Sequence, residues 1–158
     1  MKTVSVLLVA LISVSFCGCK SVEILNEQPA FLAVKDHDYV LRKDCYIFDE
    51  VYGKSTYPFI GFHSTTPGVG IPGFPKNPED WMGKRRDDIY ILAHLPAGTV
   101  FRVVQLRKVV TFESQIVRFD IRIVGAGGER WPILDGLWLT DSRQHNVTFH
   151  SEIVEQQK

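Results

Sequence analysis

The feature that most constrains the fold is an alternation of apolar and charged side chains, from Val117 to Ile123, within the segment Gln115–Val124. The alternating residues are Val117, Arg118, Phe119, Asp120, Ile121, Arg122 and Ile123. Successive side chains of a β-strand point to opposite faces of its sheet, so a period of two is typical of a half-buried antiparallel strand. The pattern predicts a strand with its apolar face in the core and with Arg118 and Arg122 in water.

Several other segments favour strands because they are rich in aromatic and β-branched residues. They cover residues 39–42, 46–48, 89–93, 100–112, 131–139 and 147–154. Residues 89–93 form a dense apolar run, which predicts a strand buried on both sides. No segment shows a helical period with caps. Short strands separated by glycine and proline turns predict an all-β fold, a small antiparallel barrel or sandwich.

A long loop interrupts this pattern. The segment Tyr57–Trp81 contains five prolines, four glycines and five aromatic residues. Proline and glycine disfavour regular structure, while disordered segments are poor in aromatic residues, so we expect an ordered loop. Two interpretations remain open: Phe62, Phe74 and Trp81 form an exposed binding surface, or these rings pack against the barrel as part of its core.

The amino-terminal segment has the features of a targeting signal. Lys2 precedes an apolar stretch from Val4 to Phe16, and the sequence Phe16-Cys17-Gly18-Cys19 follows. A charged residue before a short apolar run is typical of a signal peptide. The segment resembles the lipobox of bacterial lipoproteins, in which a small residue precedes a cysteine that is acylated and becomes the new amino terminus. The resemblance implies that Cys19 carries the lipid, because Gly18 is small and Phe16 is not.

The resemblance also implies a location and a division of the chain. Residues 1–18 are expected to be removed, residues 19–29 to form the lipid anchor and a tether, and residues 30–158 to form one β domain. Two or more acyl chains hold a protein stably on a membrane. Lys20, where an aspartate would favour the inner membrane, points to the outer membrane facing the periplasm.

The charge limits the classes of partner that the chain can bind, and the cysteine content limits the roles of its thiols. Loss of Lys2 with the signal peptide leaves 17 basic against 18 acidic side chains, a net charge of −1. A balanced charge argues against a nucleic-acid partner. After acylation of Cys19 only Cys45 is free, and its strand-like surroundings predict a small buried hydrophobe.

Groups suited to catalysis or to metal binding do not form a recognisable pattern. The five histidines lack the tight spacing of zinc motifs. His63 and Ser64 are adjacent, a spacing that rarely lets a base and a nucleophile face each other. Carboxylates such as Glu79 and Asp87 flank a basic run, as in a solvated surface segment. We therefore predict no catalytic residue, metal or cofactor.

One short segment resembles a second family. The sequence Leu95-Pro96-Ala97-Gly98-Thr99-Val100, continuing to Val104, is similar to the turn and strand of bacterial SH3-like domains. That resemblance implies an SH3-like barrel as one form of the predicted fold.

These observations lead to three functional hypotheses. The first is a lipid-anchored module of the cell envelope that binds an envelope protein, peptidoglycan or a secreted ligand without catalysis. Its candidate contact residues are Phe62, Phe74, Trp81, Arg118 and Arg122. The second is an inhibitor that inserts the long loop into a cell-wall hydrolase such as lysozyme, and the third is a cell-wall enzyme.

Overall fold

Strands dominate the structure, a computed structural model that describes residues 21–50, 55–64, 71, 73–111, 114–125, 127–141 and 147–157. Strands account for 47% of these residues and helices for 9%. A curled mixed sheet forms a half-barrel, so the predicted all-β class is confirmed. Among the residues described, no helix is long and apolar enough to cross a membrane.

The described residues form twelve strands, one short α-helix and two 3₁₀ turns. In order along the sequence they are β1 (Ser21–Ile24), α1 (Pro29–Leu32), β2 (Asp38–Leu41), β3 (Cys45–Glu50), β4 (Phe59–Gly61), the 3₁₀ turn Pro78–Trp81, β5 (Arg85–Arg86), β6 (Ile89–Leu95), β7 (Val100–Val110), β8 (Gln115–Ile123), β9 (Leu134–Asp135), the 3₁₀ turn Leu137–Leu139, β10 (Thr140–Asp141), β11 (Thr148–Phe149) and β12 (Val154–Gln156).

Ten strands form the main sheet, in the order β12-β2-β7-β8-β9-β4-β3-β6-β5, with β1 also paired to β7. All neighbours are antiparallel except β4 and β9, which pair in parallel through Phe59 and Asp135. β10 and β11 form a separate two-stranded sheet. The long β7–β8 pair is the centre of the half-barrel, and it carries the site described below.

The curled sheet is covered on both faces around β3. Cys45 and Ile47 point into the main core, which also contains Phe101 and Phe119 of the central strands. Tyr46 and Phe48 point the other way, into a second apolar cluster with residues of the long loop. This alternation follows from the period of two in a strand. β3 is therefore the strand buried on both sides, whereas Tyr90 on β6 is 37% exposed, so that prediction for residues 89–93 was wrong.

The predicted turn before β7 is confirmed. Thr99 donates its backbone N–H to the carbonyl of Pro96, closing the turn, and Gly98 lies at a φ of +90°. A side chain rarely adopts that conformation, which explains glycine there. The segment thus starts a strand, as the SH3-like resemblance implies, and that resemblance stays a prediction.

Regular structure lies within the segment that was expected to form the tether. Ser21–Ile24 is strand β1, paired with β7 in the register Ser21 to Val110 and Ile24 to Arg107. Residues 29–32 form α1, whose Phe31 is buried in the main core. Pairing of β1 satisfies backbone groups of β7, which a polar composition could not reveal because the partner is remote in sequence. β1 and α1 therefore pack on the sheet that follows them in the chain.

Two further predicted strands are shorter than expected. Residues 131–139 contain only the two-residue β9, followed by the 3₁₀ turn Leu137–Leu139. Gly136 ends β9 where its backbone N–H donates to the carbonyl of Phe119 at 2.9 Å, and a Cβ there would lie 2.6 Å from that oxygen. Residues 147–154 are split by a turn at 151–153 between β11 and β12.

Candidate functional site

The structure places two of the predicted contact residues in the interior. Phe62 is 2% exposed in the main core, and Phe74 is 5% exposed in the second cluster, where its ring lies 5.6 Å from that of Phe48. The described part of the long loop therefore packs on the sheet, and neither ring is presented to a partner. Cys19, the predicted lipid site, lies outside the described residues.

Trp81 is the predicted loop aromatic that reaches the surface. Its ring packs partly against the second cluster, and the guanidinium of Arg86 lies 5.3 Å from the ring centroid. Met82 and Tyr90, 36% and 37% exposed, lie on the same border of the sheet. We call Trp81, Met82, Arg86 and Tyr90 the Trp81 edge. Tryptophan, tyrosine, methionine and arginine are the residue types enriched in protein interfaces.

The predicted orientation of β8 is half right. Phe119 and Ile121 are fully buried in the main core, and Arg122 is exposed, as expected. Arg118 and Asp120 are buried as well, at 5% and 0% exposure, so the expectation that Arg118 points into water was wrong. The second face of β8 is covered, which the alternation alone does not reveal.

Arg118 belongs to a buried group of four charges on that second face. Arg107 donates from Nη2 to Asp120 Oδ1 at 2.7 Å and to Asp135 Oδ2 at 3.0 Å. Arg118 Nη1 lies 2.8 Å from the same Asp135 Oδ2. We call Arg107, Arg118, Asp120 and Asp135 the charge cluster. Its two positive and two negative groups balance, which is what burial of charge requires.

Strand register brings the cluster together. Arg107 on β7 lies opposite Arg118 on β8, and Asp120 on β8 lies opposite Asp135 on β9. Like charges directly opposite each other on neighbouring strands repel. The aspartates offset that repulsion, because Asp120 accepts from Arg107 and Asp135 contacts both arginines. The cluster thereby ties β7, β8 and β9 together.

Residues from the segment before β4 cover the cluster. Ser55 Oγ donates to Asp135 Oδ2 at 2.7 Å, and the Tyr57 ring centroid lies 5.1 Å from the Arg107 guanidinium. The backbone N–H of Leu137 donates to Asp135 Oδ1 at 3.1 Å. Both oxygens of Asp135 are thus occupied by donors of the protein, so this carboxylate is held as a structural counter-ion.

Burial shifts the pKa values of two carboxyl groups here. The pKa of Asp120 is raised by burial, although Arg107 and the side chain of Gln105 stabilise its charged form. The pKa of Glu50, at the end of β3, is raised by burial and then by the Asp135 carboxylate, against Trp138 and Arg118. Glu50 is half-buried, so its carboxyl group is exposed in part to solvent while the charge of Asp135 acts on it.

A second polar group lies where the long loop meets β3 and β6. The hydroxyl of Tyr46 donates to the carboxylate of Glu79, which lowers the pKa of Glu79. The His94 ring stacks on Tyr46 at 5.1 Å, and His94 Nε2 lies 3.5 Å from Asp44 Oδ2. Glu79, a predicted surface carboxylate, thus fixes the loop to the sheet.

The surface also carries a shallow groove of about 490 Å³ between β2 and the turn before β12. Its lining is Arg42, Lys43, Ser151 and Glu152. Lys43 and Glu152 pair at 3.7 Å, and Arg42 donates to the Ser151 carbonyl at 3.1 Å. These exposed contacts contribute little stability and neutralise each other, so the groove offers no concentrated charge.

Two other predicted sites can be placed. Cys45 is fully buried, and burial raises the pKa of its thiol to about 12, so its interpretation as a core residue is confirmed. Within the described part of the chain, no group of three or more His, Cys, Asp or Glu side chains is placed to hold a metal ion.

Sequence reasoning missed the charge cluster. The available signal was Asp135, a lone carboxylate within the apolar run Ile133-Leu134-Asp135-Gly136-Leu137. A charge at the centre of an apolar segment is rarely buried unless it is paired. Such a residue indicates a buried partner of opposite charge, and Arg107 and Arg118 are those partners.

Comparison of the chain with protein-family models, with curated proteins and with solved structures gives no significant match.

Proposed function

We propose that this chain is a lipid-anchored β module of the bacterial cell envelope, attached through Cys19 and binding another envelope component without catalysis. The proposal includes the outer membrane, facing the periplasm, as its location. The observation that carries it is the apolar amino-terminal segment that ends in Gly18-Cys19. The strand β1, which pairs with β7 from Ser21 onward, follows this segment directly.

The Trp81 edge is the proposed contact surface. Trp81 is the predicted loop aromatic that remains partly accessible, and Arg86 lies over its ring. Large, rigid side chains such as tryptophan dominate interface energies when they enter a pocket of the partner. Arg118 is held in the buried cluster, and Arg122 is a solvated residue that donates to the Pro132 carbonyl at 3.3 Å.

The packing of the described residues of the long loop weighs against the inhibitor hypothesis. An inhibitor of the loop-insertion type needs a protruding segment, whereas Phe62 and Phe74 are buried in the two cores. This observation favours the binding module over the hydrolase inhibitor.

Metabolic labelling with a fatty-acid analogue tests the anchor. We expect label on the wild-type protein and on a Cys17→Ala variant, and none on Cys19→Ala. Label retained by Cys19→Ala would contradict the anchor.

Co-sedimentation with purified peptidoglycan sacculi, and cross-linking in the native envelope, test the contact surface. Trp81→Ala is expected to reduce binding or cross-linking. Leu32→Ala, which removes another exposed apolar side chain (47% exposed), is the matched control. Equal capture by both variants would contradict a role for the Trp81 edge.

A further inference from the structure

The register of β1 fixes where the amino terminus leaves the domain. Ser21 pairs with Val110, the last residue of β7, and Val110 also pairs with Gln115, the first residue of β8. Ser21 therefore lies beside the turn that joins β7 to β8. We call this end of the sheet, formed by β1 and the residues 110–115 that are described, the hairpin end.

The distance from Cys19 to the hairpin end is short. Two residues of extended chain span at most about 7 Å, because each residue adds no more than about 3.6 Å. A lipid on Cys19 places that residue at the surface of the bilayer. No flexible linker is then available to separate Ser21 from the lipid headgroups.

The geometry points to the hairpin end as a surface that rests against the headgroups of the membrane. This inference rests on the proposed lipid anchor and adds an orientation to it. The opposite end of β7 then projects away from the bilayer by about 30 Å, since a strand rises about 3.3 Å per residue and β7 spans Val100–Val110.

The side chains of the hairpin end suit such a contact. Val22 and Ile24 point to one face of β1 and are 46% and 50% exposed, next to the proposed anchor. The transfer of partly exposed apolar groups out of water at the bilayer boundary lowers the free energy. Lys108 and Glu23 lie opposite each other, and their side chains pair at 3.7 Å. Their charges offset each other, so the contact with the membrane depends on the lipid anchor and on Val22 and Ile24.

Site-specific fluorescence quenching tests the orientation. The full-length protein, processed in its own envelope, is reconstituted into phosphatidylcholine–phosphatidylglycerol vesicles containing a headgroup-spin-labelled lipid. A fluorophore is attached to Gln115→Cys or, as matched control, to Ala97→Cys. Both side chains are exposed and lie at opposite ends of β7, while Cys45 is buried and remains unlabelled.

We expect the label at position 115 to be quenched several-fold more than the label at position 97. Insertion of a twelve-residue Gly-Ser linker between Lys20 and Ser21 is expected to abolish that difference, because such a linker extends by about 20 Å. The melting temperature of each variant confirms that the fold is intact. Equal quenching at the two positions, or a difference that survives the linker, would overturn the inference.

Failure of the anchor gives a different result. If the wild-type protein does not float with the vesicles, or if Cys19→Ala floats equally well, the lipid anchor itself is refuted. If the protein floats only when Cys19 is present and both labels are quenched equally, the anchor stands and the orientation is wrong. Quenching of the label at position 115 that occurs only at a high ratio of protein to lipid would indicate contact between copies of the protein. That result would also overturn the inferred orientation.

Discussion

Arg107 and Arg118 lie directly opposite each other on neighbouring strands, and both guanidinium groups contact the same oxygen, Asp135 Oδ2, at 3.0 and 2.8 Å. Two like charges in this position would repel without the carboxylate between them. The pairing of β7 with β8 therefore depends on a counter-ion, the carboxylate of Asp135, which lies on the short strand β9. Burial of the whole group makes each member sensitive to loss of its partner.

The first prediction concerns neighbouring arginines of β8. Arg118→Ala should destabilise the protein by about 3–5 kcal/mol, because it leaves a buried carboxylate without one of its partners. Arg122→Ala, four residues along the same strand, is exposed and should cost less than about 0.5 kcal/mol. Urea unfolding of both variants measures the difference. Equal small costs would show that Arg118 is solvated and that the second face of β8 is open.

The second prediction concerns the aromatic residues of the long loop. Phe62→Ala and Phe74→Ala should each lower the free energy of unfolding by about 3–5 kcal/mol, as for large core residues. Trp81→Ala should cost less than about 2 kcal/mol, since its side chain is only partly buried, and it should reduce partner capture. Thermal melts and capture assays on the three variants decide. Stability losses of the same size in all three would remove Trp81 as a contact residue.

The third prediction concerns the thiol of Cys45. Burial raises its pKa to about 12, so at pH 8 the native protein should hold it as an unreactive thiol. We expect a thiol reagent to modify Cys45 at least about a hundred-fold more slowly in buffer than in denaturing urea, because opening of the fold limits the reaction. Absorbance of the released chromophore follows the rate. Rapid modification in buffer would place Cys45 at an accessible position.

The fourth prediction concerns pH. The pKa of Glu50 is raised in the folded state, so its ionisation costs stability as the pH rises from the unfolded pKa through the folded one. Glu50→Gln removes that cost. The variant should melt at a higher temperature than the wild type at pH 7, and the two should converge below about pH 4, where the carboxyl group is protonated in both states. A variant less stable at pH 7 would show that Arg118 and Trp138 outweigh burial.

The fold class could be predicted because it depends on local patterns. The burial of Phe119 and Ile121 in the core was predicted correctly, because large apolar residues at a period of two lie on the same face of a strand and that face is buried. The turn at Gly98 and the burial of Cys45 were predicted for equally local reasons, namely turn chemistry and the apolar character of the flanking strand.

The candidate site could not be predicted because its members are remote in sequence. Whether Arg118 is solvated depends on Asp135 and on Ser55, which reach the second face of β8 from two other segments. A charged residue on an alternating strand is ordinarily solvated, so the pattern favoured the wrong face. Strand β1 was missed for the same reason, because its partner β7 lies far along the chain.

The parallel pairing of β4 with β9, between Phe59 and Asp135, has a consequence for the order of folding. β7 and β8 are joined by a short turn and can pair early, whereas β4 and β9 must meet across a long stretch of intervening chain. Closing a long loop costs entropy before the contact returns any free energy, and non-local β pairing is slow. Asp135, which contacts Arg107 and Arg118, lies on β9 as well. We therefore expect β4 to join the sheet late, after β8 has paired with β9 and after Asp120 and Asp135 have neutralised Arg107 and Arg118.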